Sequence, residues 1–177
     1  MDLKSCVRTQ IKNTQLDLVP LERWSTQFNL FFDVHSSGFV YIAADKNLLN
    51  QVRTIDHSFE PHEKKLGVLL GYPICCCEKI AQVKENNIDD FEQWLVTQAF
   101  RGHFHLINPS AYFQGKAFIS HVPCSTTCNK SLKIAQKFVQ FLLAYKYEKV
   151  FQPWIEQLKK LSKEAIILEL DEKVLKE

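Results

Sequence analysis

The chain has 177 residues, 46% of them hydrophobic and 24% charged, with a formal net charge of +2. This balance excludes a disordered chain, a collagen and a coiled coil, and so weak a field argues against a nucleic-acid surface or an anionic membrane as partner. A chain of this size buries roughly 70% of its unfolded surface, so it needs no metal or disulfide merely to fold. The expectation is one domain over residues 1–177. No apolar run approaches the ~18 residues of a membrane span, and residues 1–14 lack the apolar stretch of a secretory signal. The expected location is therefore cytoplasmic, where structural disulfides are disfavoured.

Residues 1–24 show no clear period; Val7, Ile11 and Leu16 suit either an irregular strand or a short helix. Residues 28–35 and 39–44 read as strands, and Ser36-Ser37-Gly38 between them is turn chemistry, which predicts a hairpin. Asp45 can cap a helix carrying Leu48, Leu49, Val52 and Ile55. Pro61 suits the first turn of a second helix holding Leu66, Val68, Leu69 and Leu70, which Gly71 ends. A third helix is predicted over 74–85, broken by Asn86-Asn87, and a fourth after a cap at Asp89 or Asp90, with Phe91, Trp94, Leu95 and Phe100. Residues 101–115 read as an aromatic-rich loop and 116–122 as a buried strand stopped by Pro123. A long helix follows over 125–147, with Leu132, Ala135, Phe138, Val139 and Leu142 on its apolar face. A helix over 154–161 and a strand over 165–170 complete the chain. The fold class is α+β: several helices packed on a small sheet with an N-terminal hairpin.

Five of the six cysteines fall into two groups, Cys75-Cys76-Cys77 and Cys124 with Cys128. In a reducing compartment such grouping reads first as metal binding or catalysis. The first group follows Gly71-Tyr72-Pro73, in the first turn of a predicted helix. The second follows His121-Val122-Pro123, where another helix is predicted to begin. Unpaired N–H groups at a helix N-terminus carry partial positive charge and stabilise the thiolate, the form that binds metal or attacks a substrate. Four apart, Cys124 and Cys128 share a face of the predicted helix, with Ser131 on the same face and His121 just before it. Two such helix ends brought together present four thiolates to one site, the ligand number used by tetrahedral zinc and by iron–sulfur clusters. The plainer reading of any single cysteine is a small buried hydrophobe. It is favoured for the isolated Cys6.

The elements Gly71-Tyr72-Pro73-x-Cys75-Cys76 and His121-x-Pro123-Cys124-x-x-x-Cys128-x-x-Ser131 resemble the signature of a small, functionally uncharacterised prokaryotic family. The resemblance spans about residues 66–140. It implies that Cys75, Cys76, His121, Cys124 and Cys128 belong together, with Cys77 outside the pattern, and it implies a site, not a reaction.

His103 and His105, in the predicted loop, are further acid–base or ligand candidates, although surface or stacked histidines are the commoner case. His57 and His62 straddle a proline and make no metal-ligand pair, and His62-Glu63 does not continue into a metalloprotease motif. With five glycines and no P-loop, dinucleotide fingerprint or nucleophile elbow, phosphoryl transfer, nicotinamide and hydrolase chemistries are demoted. Three readings stay open. The first is a metalloprotein holding an iron–sulfur cluster or zinc on Cys75, Cys76, Cys124 and Cys128, with His121 in or beside the ligand set. Ser131 would contact the cofactor, and the protein would act as an enzyme of sulfur or small-molecule biosynthetic chemistry on a small-molecule substrate. The second is a metal-free thiol enzyme with Cys124 or Cys75 as nucleophile and His121 as its partner, Cys124 being the expected low-pKa thiol. The third is a zinc-stapled interaction module.

Overall fold

Helix capping and turn chemistry set several of the elements in the computed structural model, which describes residues 5–11, 14–98, 104–109, 111, 117–144, 149, 152–157 and 159–160. The chain divides into two compact units, Met1–Ile74 and Cys75–Glu177. The division falls at the first residue of a helix, so no linker composition marks it.

The first unit is built on a three-stranded antiparallel sheet of order β1-β3-β2, with β1 at Cys6–Gln10, β2 at Phe31–Val34 and β3 at Phe39–Ala43. The β2–β3 hairpin lies where the turn residues predicted it. Gly38 closes it at φ +86°, and its N–H donates to the His35 carbonyl at 2.9 Å. The chain start resolves into two elements, β1 and the helix α1 (Thr14–Phe28). α1 ends on Asn29 at φ +51°, a left-handed conformation that asparagine tolerates better than most residues. The strand predicted from residue 28 therefore begins at Phe31. Two further helices follow, α2 (Lys46–Asp56) and α3 (Glu63–Leu69). Asp45 caps α2 as predicted, its Oδ1 accepting the Leu48 N–H at 2.7 Å. Gly71 ends α3 at φ +75°: its N–H donates to Val68 O, and the Tyr72 N–H reaches back to Gly67 O. These two bonds form a Schellman motif.

Cys6, Tyr41, Ala43, Leu49, Val52, Leu66 and Leu70 make the core of this unit, and Cys6 is there the small hydrophobe expected of it. At its edge the buried Asp56 carboxylate accepts from the Tyr41 hydroxyl at 2.5 Å and pairs with Arg8 Nε at 2.7 Å. Burial and the neighbouring carboxylate push the Tyr41 phenol well above its usual range. His57 and His62 flank this group as polar neighbours, His57 Nε2 at 3.1 Å from the Tyr41 hydroxyl and His62 Nε2 at 3.8 Å from Asp56.

The second unit is helical where described: α4 (Ile74–Val83), α5 (Ile88–Thr97), the single turn α6 (Phe104–Ile107) and α7 (Asn129–Ala144). Residues 152–157 and 159–160 are helical as well, and 165–170, predicted as a strand, lie outside the described residues. Three expectations are corrected. The cap position of α5 is Asn87, with Asp89 and Asp90 inside its first turn, where acidic side chains favour the helix dipole. Residues 117–122 are irregular backbone with bends instead of a strand; Phe118 and Ile119 are buried there by helices, not by a sheet. The long helix starts at Asn129, not 125, because residues 124–127 form a turn that the Cys128 N–H closes onto the Ser125 carbonyl at 3.2 Å. The core joins Cys76, Phe91, Leu95, Phe104, Ile107, Phe118, Ile119, Cys128 and Ala135. Among the described residues no helix is long and apolar enough to cross a membrane.

Candidate metal centre

Pro73 and the glycine stop before it end α3, so the chain enters α4 with Cys75 and Cys76 in its first turn. The second cysteine pair arrives differently. Cys124 follows the buried Pro123 in the turn before α7. Cys128 stands immediately outside the helix, its carbonyl accepting the first helical bond from the Leu132 N–H at 2.9 Å. The two cysteines thus do not share a helix face. The turn folds Cys124 back toward the helix start instead.

The Sγ atoms of Cys75, Cys76, Cys124 and Cys128 all lie within 4.8 Å of one another. Cys76 and Cys128 approach to 3.6 Å, Cys75 and Cys128 to 3.9 Å, and the adjacent Cys75 and Cys76 to 4.0 Å. A tetrahedral ion with metal–sulfur bonds of about 2.3 Å separates its sulfurs by about 3.8 Å; the three closest of these separations lie near that value, and the four sulfurs could hold a metal. Among the described residues no other group of three or more histidine, cysteine or carboxylate side chains gathers in this way.

Two polar side chains support the sulfurs. Ser131, fully buried in the first turn of α7, donates its hydroxyl to Cys128 Sγ at 3.3 Å and lies 3.3 Å from Cys76 Sγ. Its oxygen also meets His121 Nε2 at 2.8 Å. A serine hydroxyl has one proton, so donation to Cys128 leaves the His121 Nε2–H to donate to Ser131. The Cys124 N–H adds a bond to Cys76 Sγ at 3.4 Å. The structure therefore places His121 behind Ser131 and outside the sulfur group, and Ser131 against two of the sulfurs. His105 sits half-buried in α6 and is not one of the group; His103 lies outside the described residues. Cys77 is buried and contributes no sulfur.

The thiols differ in acidity, and not as the sequence suggested. Burial pushes Cys124 up to about 11, and its hydrogen bond to Cys128, which favours the protonated thiol, adds to this. Burial also raises Cys76, against the opposing influence of the nearby Ser131 hydroxyl and the bond from the Cys124 N–H. Burial acts on Cys128 in the same sense, but the Ser131 hydroxyl and N–H and the thiols of Cys124 and Cys76 outweigh it, bringing Cys128 down to about 7. The acidic thiol is thus Cys128, not Cys124, because Ser131, three residues on in the first turn of α7, turns both its hydroxyl and its N–H to the Cys128 sulfur.

A cavity of about 130 Å³ adjoins the centre, lined by Glu92, Pro109, Ile119, Ser120, His121 and Val122. Nothing in the sequence singled out Glu92, one acidic residue among several on a predicted helix. Compared with protein-family models, with curated proteins and with solved structures, the chain matches none.

Proposed function

We propose that the second unit is a zinc-stapled module in which one ion is held by Cys75, Cys76, Cys124 and Cys128. The convergence of all four sulfurs to within 4.8 Å carries this reading. Four thiolates close the coordination shell of zinc, and closed shells serve structure, whereas catalytic zinc keeps a position for water or substrate. In an iron–sulfur cluster the cysteines sit on different irons with inorganic sulfide between them, which holds their sulfurs further apart than on one ion. The ion would tie the start of α4 to the turn before α7, segments separated by some fifty residues. In a reducing cytoplasm the four thiols stay available as ligands. On this reading the Gly-Tyr-Pro-x-Cys-Cys and His-x-Pro-Cys-x-x-x-Cys elements are the two halves of a metal staple. Pro73 and Pro123 set the approach of each half, and Ser131 and His121 hold the sulfurs.

Elemental analysis of protein purified without oxygen tests the proposal. The expected result is one zinc per chain in a colourless protein, and loss of folded structure in the second unit when the metal is stripped. Brown protein with acid-labile sulfide would move the reading to a cluster. Folded, metal-free protein whose cysteines alkylate readily at neutral pH would favour a thiol enzyme, with Cys128 as the reactive group.

A further inference from the structure

The cavity beside the centre combines a carboxylate with apolar walls. Glu92, half-buried on α5, lines it together with Pro109, Ile119, Ser120, His121 and Val122. At about 130 Å³ it has room for about four waters at ~30 Å³ each, or for a ligand of four or so carbons with one polar head. Mainly apolar walls with few polar groups are the lining of ligand pockets in general, and at this size only a small guest fits. The sign of the head group follows from the charges present. Burial pushes the Glu92 carboxyl above its ordinary range, and the negative charge of Asp89 pushes in the same direction. Among the described residues Glu92 is the carboxylate of the lining and no lysine or arginine lines it, so the cavity disfavours an anionic guest and gains from a cationic one.

We propose that this cavity binds a small aliphatic amine, its ammonium paired with the Glu92 carboxylate and its alkyl body against Pro109, Ile119 and Val122. The walls include His121, which reaches Cys76 and Cys128 through Ser131, so an occupant lies two side chains from the sulfurs. None of the four cysteines lines the cavity, so the occupant needs no contact with the ion.

The probe is isobutylamine, titrated at constant pH and ionic strength into the full-length, isotope-labelled protein as purified. Isobutyrate and isobutanol serve as the anionic and neutral counterparts, and zinc content is measured on the same samples. The amine is expected to give saturating shifts at the backbone amides of Ile119, Ser120, His121 and Val122, with the acid and the alcohol weaker by about tenfold or more. Glu92→Gln is expected to weaken amine binding by about tenfold while leaving zinc content unchanged. Absence of saturating shifts, equal binding of the acid or alcohol, or undiminished binding by Glu92→Gln would each overturn the proposal. The amine-against-acid comparison uses the unaltered chain, so it decides the matter even where the variant folds poorly. Amine binding without zinc would overturn the metal reading alone, and zinc without amine binding would overturn this inference alone.

Discussion

Among single residues, Ser131 has the most consequence for its size. Its hydroxyl meets two sulfurs and one imidazole while fully buried. Ser131→Ala removes a donor from Cys128 and leaves His121 Nε2 without that partner, so metal affinity is expected to fall roughly 10- to 100-fold; competition with a chromophoric chelator measures it. Cys124→Ser is expected to abolish stoichiometric metal. Cys77→Ser keeps it and costs at most about 1–2 kcal/mol of packing, read by metal content and melting temperature on the two variants side by side. Equal loss of metal in both would mean that Cys77 is a ligand after all. In metal-free protein that keeps its fold, Cys128 at about 7 lies below its ordinary 9.0, so its ionisation contributes stability that is complete above 9.0 and lost as pH falls through about 7. Cys124, raised to about 11, contributes in the opposite sense: its share is complete below 9.0 and lost as pH rises through about 11. Where metal-free protein keeps its fold, the outcome that favours a thiol enzyme, alkylation against pH read residue by residue by mass spectrometry should modify Cys128 first. Cys124 reacting first would reverse the assignment.

At the level of elements, ends matter more than middles. The Schellman stop at Gly71 turns the chain so that Pro73 can lead into α4, and with it Cys75 and Cys76. A Cβ at φ +75° is strained by roughly 1–2 kcal/mol, so Gly71→Ala should lower stability by about that amount, and denaturant melts of both proteins check it. Asp45→Ala removes the cap of α2 and is expected to cost about 1 kcal/mol. Because Asp45 lies in the first unit, that loss should leave metal content untouched. α7 shows how a start four residues from its predicted place changes chemistry. Beginning at Asn129, it brings the hydroxyl and N–H of Ser131 to Cys128 and not to Cys124.

For the molecule as a whole, the division into Met1–Ile74 and Cys75–Glu177 predicts an uneven response to chelation. Hydrogen exchange should accelerate in α4 and α7 when the metal is removed, while the β1-β3-β2 sheet keeps its protection. Uniform acceleration over both units would show that the ion stabilises the chain as one cooperative body.

The sequence by itself determined what depends on neighbouring residues. The hairpin at Ser36-Ser37-Gly38, the Asp45 cap, the Gly71 stop and the placing of cysteines beside Pro73 and Pro123 were all legible, because turns, caps and helix stops are set by local backbone geometry. Grouping alone marked the five cysteines and separated Cys6 from them. Residues 117–122 defeated the same reasoning: a short apolar run reads alike whether a sheet or a set of helices buries it. Only the tertiary structure decided which thiol is acidic, that Cys77 contributes no sulfur while His121 stands behind Ser131, and that four sulfurs gather within 4.8 Å of one another. Cys76 and Cys128 are 52 positions apart in sequence yet 3.6 Å apart in space. That distance is set by how α4, α7 and the core between them pack, and no periodicity along the chain encodes it.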